Sequence, residues 1–187
     1  MFFLTGRLFF LCALLWCLLN SENALAWDYE AAGGFGYGPE FNGMSYNQVG
    51  GIADFIFMNK AVDSKLHFLW DISAAYWHAE TTPSNGIFVG AVSPLLRAYF
   101  VNPETFRYRP FLQIGVGPAV ISSETLGEET QGSHFLFQDR FGLGMEVGSQ
   151  THALVFAFQY IHCSNADIAP PNPGFNFPFV GSIGYEF

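Results

Sequence analysis

The chain has 187 residues, a length typical of one domain. Half of the residues are hydrophobic and 12% are charged, whereas about 25% are charged in ordinary soluble domains. This composition excludes an intrinsically disordered chain, which needs low hydrophobicity and high net charge. Sixteen acidic against seven basic residues give a net charge of −9, which argues against a nucleic-acid partner. Twenty-two phenylalanines instead indicate contact with lipid.

The first 26 residues have the order of a secretory signal peptide. Arg7 supplies a positive charge, an apolar stretch follows over residues 8–19, and an Ala-Leu-Ala tripeptide ends at residue 26. The apolar stretch is shorter than the roughly 20 residues of a membrane-spanning helix, which argues against a retained anchor. We therefore expect export, cleavage after residue 26 and a mature chain over residues 27–187 with Cys163 as its only cysteine.

The mature chain alternates apolar with polar or small residues at a period of two, which is typical of membrane barrel strands. In one such segment, Tyr108 and Leu112 fall on one face, and Arg109 and Gln113 fall on the other. Eight strands are expected, near residues 28–38, 46–59, 66–80, 87–101, 106–121, 133–148, 151–162 and 176–187. Lipid tolerates only helices or closed sheets. The sequence therefore predicts an all-β fold, a single eight-stranded antiparallel transmembrane β-barrel of the outer membrane over residues 27–187.

The interior of so small a barrel is filled by side chains. The charged residues expected to point inward and pair there are Asp54, Asp71, Arg97, Arg107, Arg109, Arg140 and Glu146. On the last strand, the residues expected to share one face are Phe177, Phe179, Ile183, Tyr185 and Phe187. A final strand that ends in an aromatic residue resembles the assembly signal of outer-membrane barrels. Polar residues inside and aromatic residues outside disfavour an apolar-ligand carrier like a soluble lipocalin.

The seventh strand carries the residues best suited to chemistry. His162 and Ser164 share the outward parity of the aromatic Phe158 and would leave the barrel at its extracellular end. An ionisable side chain turned towards lipid is costly and indicates a function, and a serine beside an imidazole is the minimum of an activated nucleophile. The alternative is an inert pair at the headgroup boundary. Cys163 has the opposite parity, which favours a packing thiol over a nucleophile.

The motif continues as HCSNA over residues 162–166, and an asparagine stands ten residues after the histidine. This string resembles that of the lipid A 3-O-deacylase (PagL-like) family, whose fold is an eight-stranded outer-membrane barrel. The resemblance implies an esterase that removes the 3-O-linked acyl chain of lipid A, with Ser164 as nucleophile and His162 as general base. It also implies that Asn165 helps to hold the oxyanion and that Asn172 orders the loop.

One residue departs from the family pattern. Where the family has a glutamate fourteen residues after the histidine, this chain has Asn176. An amide can accept an imidazole N–H bond but cannot stabilise the imidazolium by charge, and the corresponding change in a protease triad lowers turnover by about 10⁴. Asp139 is a candidate substitute, because a short turn after the sixth strand would pair Phe137 with His162 and set Asp139 diagonally beside it. The alternative is that Asp139 snorkels or is turned inward by a bulge.

The remaining expectations concern partners. The substrate and partner would be lipid A or lipopolysaccharide in the outer membrane, with the outward Phe137 and Tyr160 binding substrate. No cofactor or metal is expected, because the other four histidines lack metal-ligand spacing. Self-association as a homodimer stays open, and so does a catalytically silent structural barrel, which the change at Asn176 favours. A β-bulge near Pro178 would alter which side of the last strand faces out.

Overall fold

The computed structural model describes residues 28–39, 46–81 and 85–187. Eight long strands form a closed barrel: β1 Asp28–Gly38, β2 Gln48–Ala61, β3 Leu66–Ala79, β4 Asn85–Tyr99, β5 Tyr108–Ile121, β8 Phe135–Gly148, β9 Ala153–Ser164 and β10 Phe175–Glu186. Two short strands, β6 (Thr125–Leu126) and β7 (Glu129–Thr130), pair in the loop between β5 and β8. The barrel order is β1-β10-β9-β8-β5-β4-β3-β2, with antiparallel neighbours throughout.

The predicted eight-stranded antiparallel barrel is confirmed, and each predicted segment overlaps one long strand. The expected signal peptide over residues 1–26 lies outside the described residues. Within the described part of the chain, no helix has the length and apolar character that crossing a membrane would require.

The outer surface is apolar, as the alternation predicts. On β3, inward residues such as Asp71 and Trp77 are buried, whereas Ile72 and Tyr76 between them are exposed. The other long strands expose aromatic and aliphatic side chains in the same way, among them Phe35, Phe88, Phe141, Phe156 and Ile183. A surface of this kind gains stability only where it meets lipid or another apolar surface.

Buried ion pairs fill the half of the barrel that contains the start of β1 and the end of β10. Arg97 Nη1 lies 3.0 Å from Glu30 Oε2 and 2.7 Å from Glu146 Oε1. Arg109 Nε lies 2.8 Å from Glu146 Oε2, and its Nη2 lies 3.1 Å from Glu186 Oε2. The network satisfies charges that would be costly to bury alone. Two of its carboxylates, Glu30 and Glu186, extend the predicted set.

A second cluster pairs Arg140 with Asp54 at 3.1 Å and with Asp71. Six of the seven predicted inward charges are therefore buried in the interior. The prediction was wrong for Arg107, whose side chain is exposed. The reason is that β5 begins only at Tyr108, so Arg107 lies beyond the end of the barrel wall.

Apolar side chains fill the other half of the barrel, near the β9–β10 loop. Trp77 and Phe177 stack there with ring centroids 3.9 Å apart. The capping hairpin (residues 125–130) adds the wholly buried Leu126 to this core, beside Tyr46. Asn85 at the start of β4 holds the hairpin through hydrogen bonds with the N–H and C=O of residue 127, at 2.6 and 3.1 Å. Side chains and hairpin together close this half of the barrel.

A β-bulge interrupts β10. Phe177 pairs with Ile161 and Val180 pairs with Gln159, so two residues of β10 stand opposite one residue of β9. Proline lacks the N–H that a regular ladder needs, which explains a bulge at Pro178. A bulge near Pro178, which the sequence left open, is therefore present. The prediction that Phe177 shares one face with Phe179 was wrong, because the extra residue turns the side chain of Phe177 into the core while Phe179 is exposed.

Candidate active site

Three neighbouring strands place a carboxylate, an imidazole and an amide in one outward-facing row. Asp139 of β8 lies directly opposite His162 of β9, and Asn176 of β10 lies opposite His162 on its other side. Directly paired residues have Cβ atoms about 4.5–5.5 Å apart. The predicted β8–β9 register was wrong by two residues, since Phe137 faces Ser164 rather than His162. Asp139 is therefore a direct cross-strand partner of His162 rather than a diagonal one.

The amide of Asn176 binds the imidazole. His162 Nδ1 lies 2.8 Å from Asn176 Oδ1, and the Tyr160 hydroxyl donates to the same oxygen across 2.5 Å. Asn176 is 1% exposed, so its side chain is shielded from solvent. An imidazole that donates from Nδ1 to this oxygen keeps the lone pair of Nε2 for use as a base.

A glycine lies against the face of the site. Gly174 adopts φ +78°, in the left-handed region that favours glycine. A Cβ built on Gly174 would lie 2.6 Å from His162 Cε1 and 3.3 Å from Nε2. The imidazole therefore occupies the space that any side chain at this position would need.

The loop after Ser164 is held by its own asparagines. The Asn165 N–H donates to Asn172 Oδ1 at 2.8 Å, and Asn172 Nδ2 donates to Asp167 Oδ1 at 3.1 Å. Asn165 Nδ2 donates to the carbonyls of residues 169 and 171, and its Oδ1 accepts from the N–H of Asp167 at 3.0 Å. Both asparagines thus have their polar groups engaged within the loop that follows Ser164.

A neighbouring loop supports this one. Just after the capping hairpin, the Gly132 N–H donates to the Pro171 carbonyl across 2.7 Å. A Cβ on Gly132 would lie 2.3 Å from the carbonyl oxygen of Ala169, so the two loops touch backbone to backbone. Sequence reasoning missed this contact, because nothing in the spacing of either loop indicates the other.

The structure brings together most of the predicted site residues. Ser164 ends β9 and is buried, with the half-buried Phe137 opposite it. Cys163 points into the core, as its parity predicts. Sequence reasoning missed Gly174 and the bond from Tyr160 to Asn176. Gly174 could have been found from its place at the end of a proline-rich loop. The hydrogen bond from Tyr160 to Asn176 could not, because it depends on the bulge in β10. Among the described residues, no group of three or more His, Cys, Asp or Glu side chains could hold a metal ion.

Comparison with known families decides where the chain belongs. Residues 43–182 match the family model described as lipid A 3-O-deacylase (PagL). The chain belongs to this family. Among characterised proteins, it is similar to lipid A deacylase PagL of Bordetella bronchiseptica, with 32% identity over 105 residues, which are 56% of this chain and 54% of that protein. It is 30% identical over 105 residues to lipid A deacylase PagL of Pseudomonas aeruginosa, covering 56% of this chain and 57% of that protein.

The chain thus spans about half the length of the curated relatives it matches. Among solved structures, the outer membrane enzyme PagL superposes with a TM-score of 0.56 at 22% identity, over 87% of this chain and 99% of that one. Neisserial surface protein A gives a TM-score of 0.55 at 10% identity, over 88% and 98% of the two chains. These two likenesses concern the fold alone, and fold alone does not decide function.

Proposed function

We propose that this chain is an outer-membrane lipid A 3-O-deacylase, an esterase that removes the 3-O-linked acyl chain of lipid A with a serine nucleophile and a histidine base. Family membership supports the substrate class. The observation that carries the mechanism is the 2.8 Å contact of His162 Nδ1 with Asn176 Oδ1 on the outward face, two residues before Ser164.

The location supports this substrate. The family and the barrel imply the outer membrane, and we propose that the signal peptide over residues 1–26 exports the chain there. His162 and Ser164 share the outward parity of the exposed Phe156 and Phe158. A lipid substrate would therefore reach the site laterally through the leaflet, without entering the filled barrel.

The proposed reaction has two steps. Ser164 Oγ attacks the ester carbonyl carbon while its proton passes to His162 Nε2, and the imidazolium then gives that proton to the departing sugar oxygen. The acyl chain stays on Ser164 as an ester. Water, deprotonated by His162, attacks this ester and releases the fatty acid, and Ser164 recovers its proton. This is the general logic of serine hydrolases.

The family glutamate would both orient the imidazole and stabilise its positive charge. In this chain, residues on two different strands would divide these tasks. Asn176 on β10 accepts the imidazole hydrogen bond. Asp139 on β8, directly opposite His162, would supply the negative charge that stabilises the imidazolium. Asn165 and Asn172 would keep the loop beside Ser164 in shape, and in this state the Asn165 side-chain nitrogen is engaged by loop carbonyls. Phe137, opposite Ser164, would contact the acyl chain, and self-association stays a prediction.

Mass spectrometry of lipid A from cells that express the chain tests the proposal. The wild-type protein should remove one 3-hydroxyacyl chain, and Ser164→Ala and His162→Ala should each abolish this loss while the protein still folds. Cys163→Ser should retain activity, because the thiol points into the core. The change of the family glutamate to Asn176 favours the alternative of a silent barrel. An unchanged lipid A spectrum, both in cells and in detergent with purified protein, would establish that alternative.

A further inference from the structure

One oxygen of Asn176 is bound by two donors. The Tyr160 hydroxyl donates to Oδ1 across 2.5 Å, and His162 Nδ1 lies 2.8 Å from the same atom. Tyr160 and His162 lie two residues apart on the outward face of β9, and the bulge in β10 falls opposite Tyr160. Because Asn176 is buried, solvent does not compete for this oxygen.

An amide, unlike a carboxylate, can face an imidazole in two ways. With Oδ1 towards Nδ1, the imidazole donates from Nδ1 and keeps Nε2 as a base. With Nδ2 towards Nδ1, the imidazole must accept at Nδ1, carries its proton on Nε2 and cannot take one from a serine. This wrong tautomer is why an acid-to-amide change in a serine-protease triad lowers turnover by about 10⁴.

We propose that Tyr160 is a positioning residue that holds the amide of Asn176 in the productive orientation. A phenol hydroxyl is a better donor than acceptor, because the lone pair of its oxygen is delocalised into the ring. Reversing the amide would lose the short O–H···O bond and set the NH₂ group against this weak acceptor. Through Asn176, Tyr160 therefore selects the imidazole tautomer of His162 that leaves Nε2 free of its proton.

The inference assigns Tyr160 a different task from the substrate binding expected from the sequence. A glutamate at position 176 would offer an acceptor oxygen in either orientation and would not need the hydroxyl. Tyr160 thus accounts for how an asparagine can serve where the family has an acid. The catalytic meaning of the inference rests on the proposed function, whereas the tautomer of His162 exists without any substrate.

Steady-state kinetics on lipid A in detergent provide the first test. Tyr160→Phe should lower kcat by about tenfold or more while KM changes by less than about twofold. In an Asn176→Glu background, the same substitution should change kcat by less than about twofold, because the carboxylate cannot be misoriented. Tyr108→Phe is the matched control, since this outward tyrosine is 62% exposed and lies on β5. A rise in KM alone, or an equal fall of kcat in both backgrounds, would overturn the inference.

Nitrogen-15 NMR of the labelled imidazoles provides the second test and needs no activity. The His162 signal, identified by its loss in His162→Ala, should report a proton on Nδ1 in the wild type and a mixture of tautomers in Tyr160→Phe. An unchanged tautomer in Tyr160→Phe would overturn the inference. A changed tautomer in a protein that never cleaves lipid A would refute the proposed function and support the inference.

Discussion

His162 is approached from three sides by groups of different chemistry. Asn176 binds its Nδ1, Asp139 stands opposite it on β8, and the backbone of Gly174 lies against Cε1. In the proposed mechanism, the imidazole gains a positive charge during each step, so its neighbours must both orient it and stabilise that charge. An amide alone can orient the imidazole but cannot stabilise its positive charge.

Asp139→Asn should therefore lower turnover on lipid A by about 100-fold. Two unit charges separated by about 5.5 Å, the upper end of the Cβ spacing of paired residues, interact by about 3 kcal/mol at an effective dielectric constant of 20. Asn176→Glu in the same chain should restore part of the loss, because it returns a charge to the imidazole. Glu104→Gln, which removes an exposed acidic charge elsewhere, should have no effect. If Asp139→Asn is fully active and Asn176→Glu alone raises turnover, Asp139 has no role.

At the scale of the strands, the sequence predicts more than it does for the loops. Period-two alternation determines which side chains face out, and the inward parity of Cys163 follows from it. Register is set by turn geometry. Beyond the pair Gly148 and Ala153, the Ser149 N–H donates to the His152 carbonyl at 2.8 Å, so the β8–β9 turn is tight and is centred on residues 150 and 151, later in the chain than the sequence predicts. This turn explains why Asp139 stands directly opposite His162 and not diagonally. The contact of Gly132 with the Pro171 carbonyl depends on the folding of two separate loops, so no local pattern encodes it.

The β9–β10 loop should tolerate no side chain at its last position. Gly174→Ala would place a Cβ 2.6 Å from His162 Cε1 at a positive φ. We expect deacylation to fall by about 10²-fold, because displacing a reacting group by about 1 Å can cost that much. Gly181→Ala on β10 is the control, since no atom lies within 4 Å of its Cβ position. Folding of each variant is verified by comparing the electrophoretic mobility of unheated and heated samples. Equal activity of the two folded variants would contradict a tight fit around the imidazole.

At the scale of the whole barrel, chemistry and stability are separated in space. The proposed site lies on the outside, whereas the interior holds ion pairs in one half and stacked aromatic rings in the other. Arg97 is central to the ion pairs: it contacts Glu30 and Glu146 and lies 4.2 Å from the centre of the Phe111 ring. Its contacts all lie on the inward face.

Arg97→Met would leave Glu30 and Glu146 without the partner between them. The free energy of unfolding should fall by about 3–5 kcal/mol, which is typical when one member of a buried charge network is removed. Urea unfolding in detergent, followed by tryptophan fluorescence, would measure it. Arg107→Met is the matched control, because Arg107 is exposed. The folded fraction of Arg97→Met should keep its turnover on lipid A, and a loss of turnover without a loss of stability would mean that interior and site are coupled.

The bulge in β10 changes which residues of the strand face outward. On the C-terminal side of the bulge, odd-numbered residues such as Phe179 and Ile183 face outward. On its N-terminal side, the even-numbered Asn176 faces outward. Without the extra residue, the alternation of the C-terminal part of β10 would continue to its start. Asn176 would then face the lumen and Phe177 would face the bilayer. That alternative sheet would still close, insert and look like a proper barrel by size and mobility. Both sheets would thus be assembled barrels, but only the one with the extra residue has the Asn176 amide beside His162. Insertion of the barrel and formation of the proposed site are therefore distinct outcomes of folding.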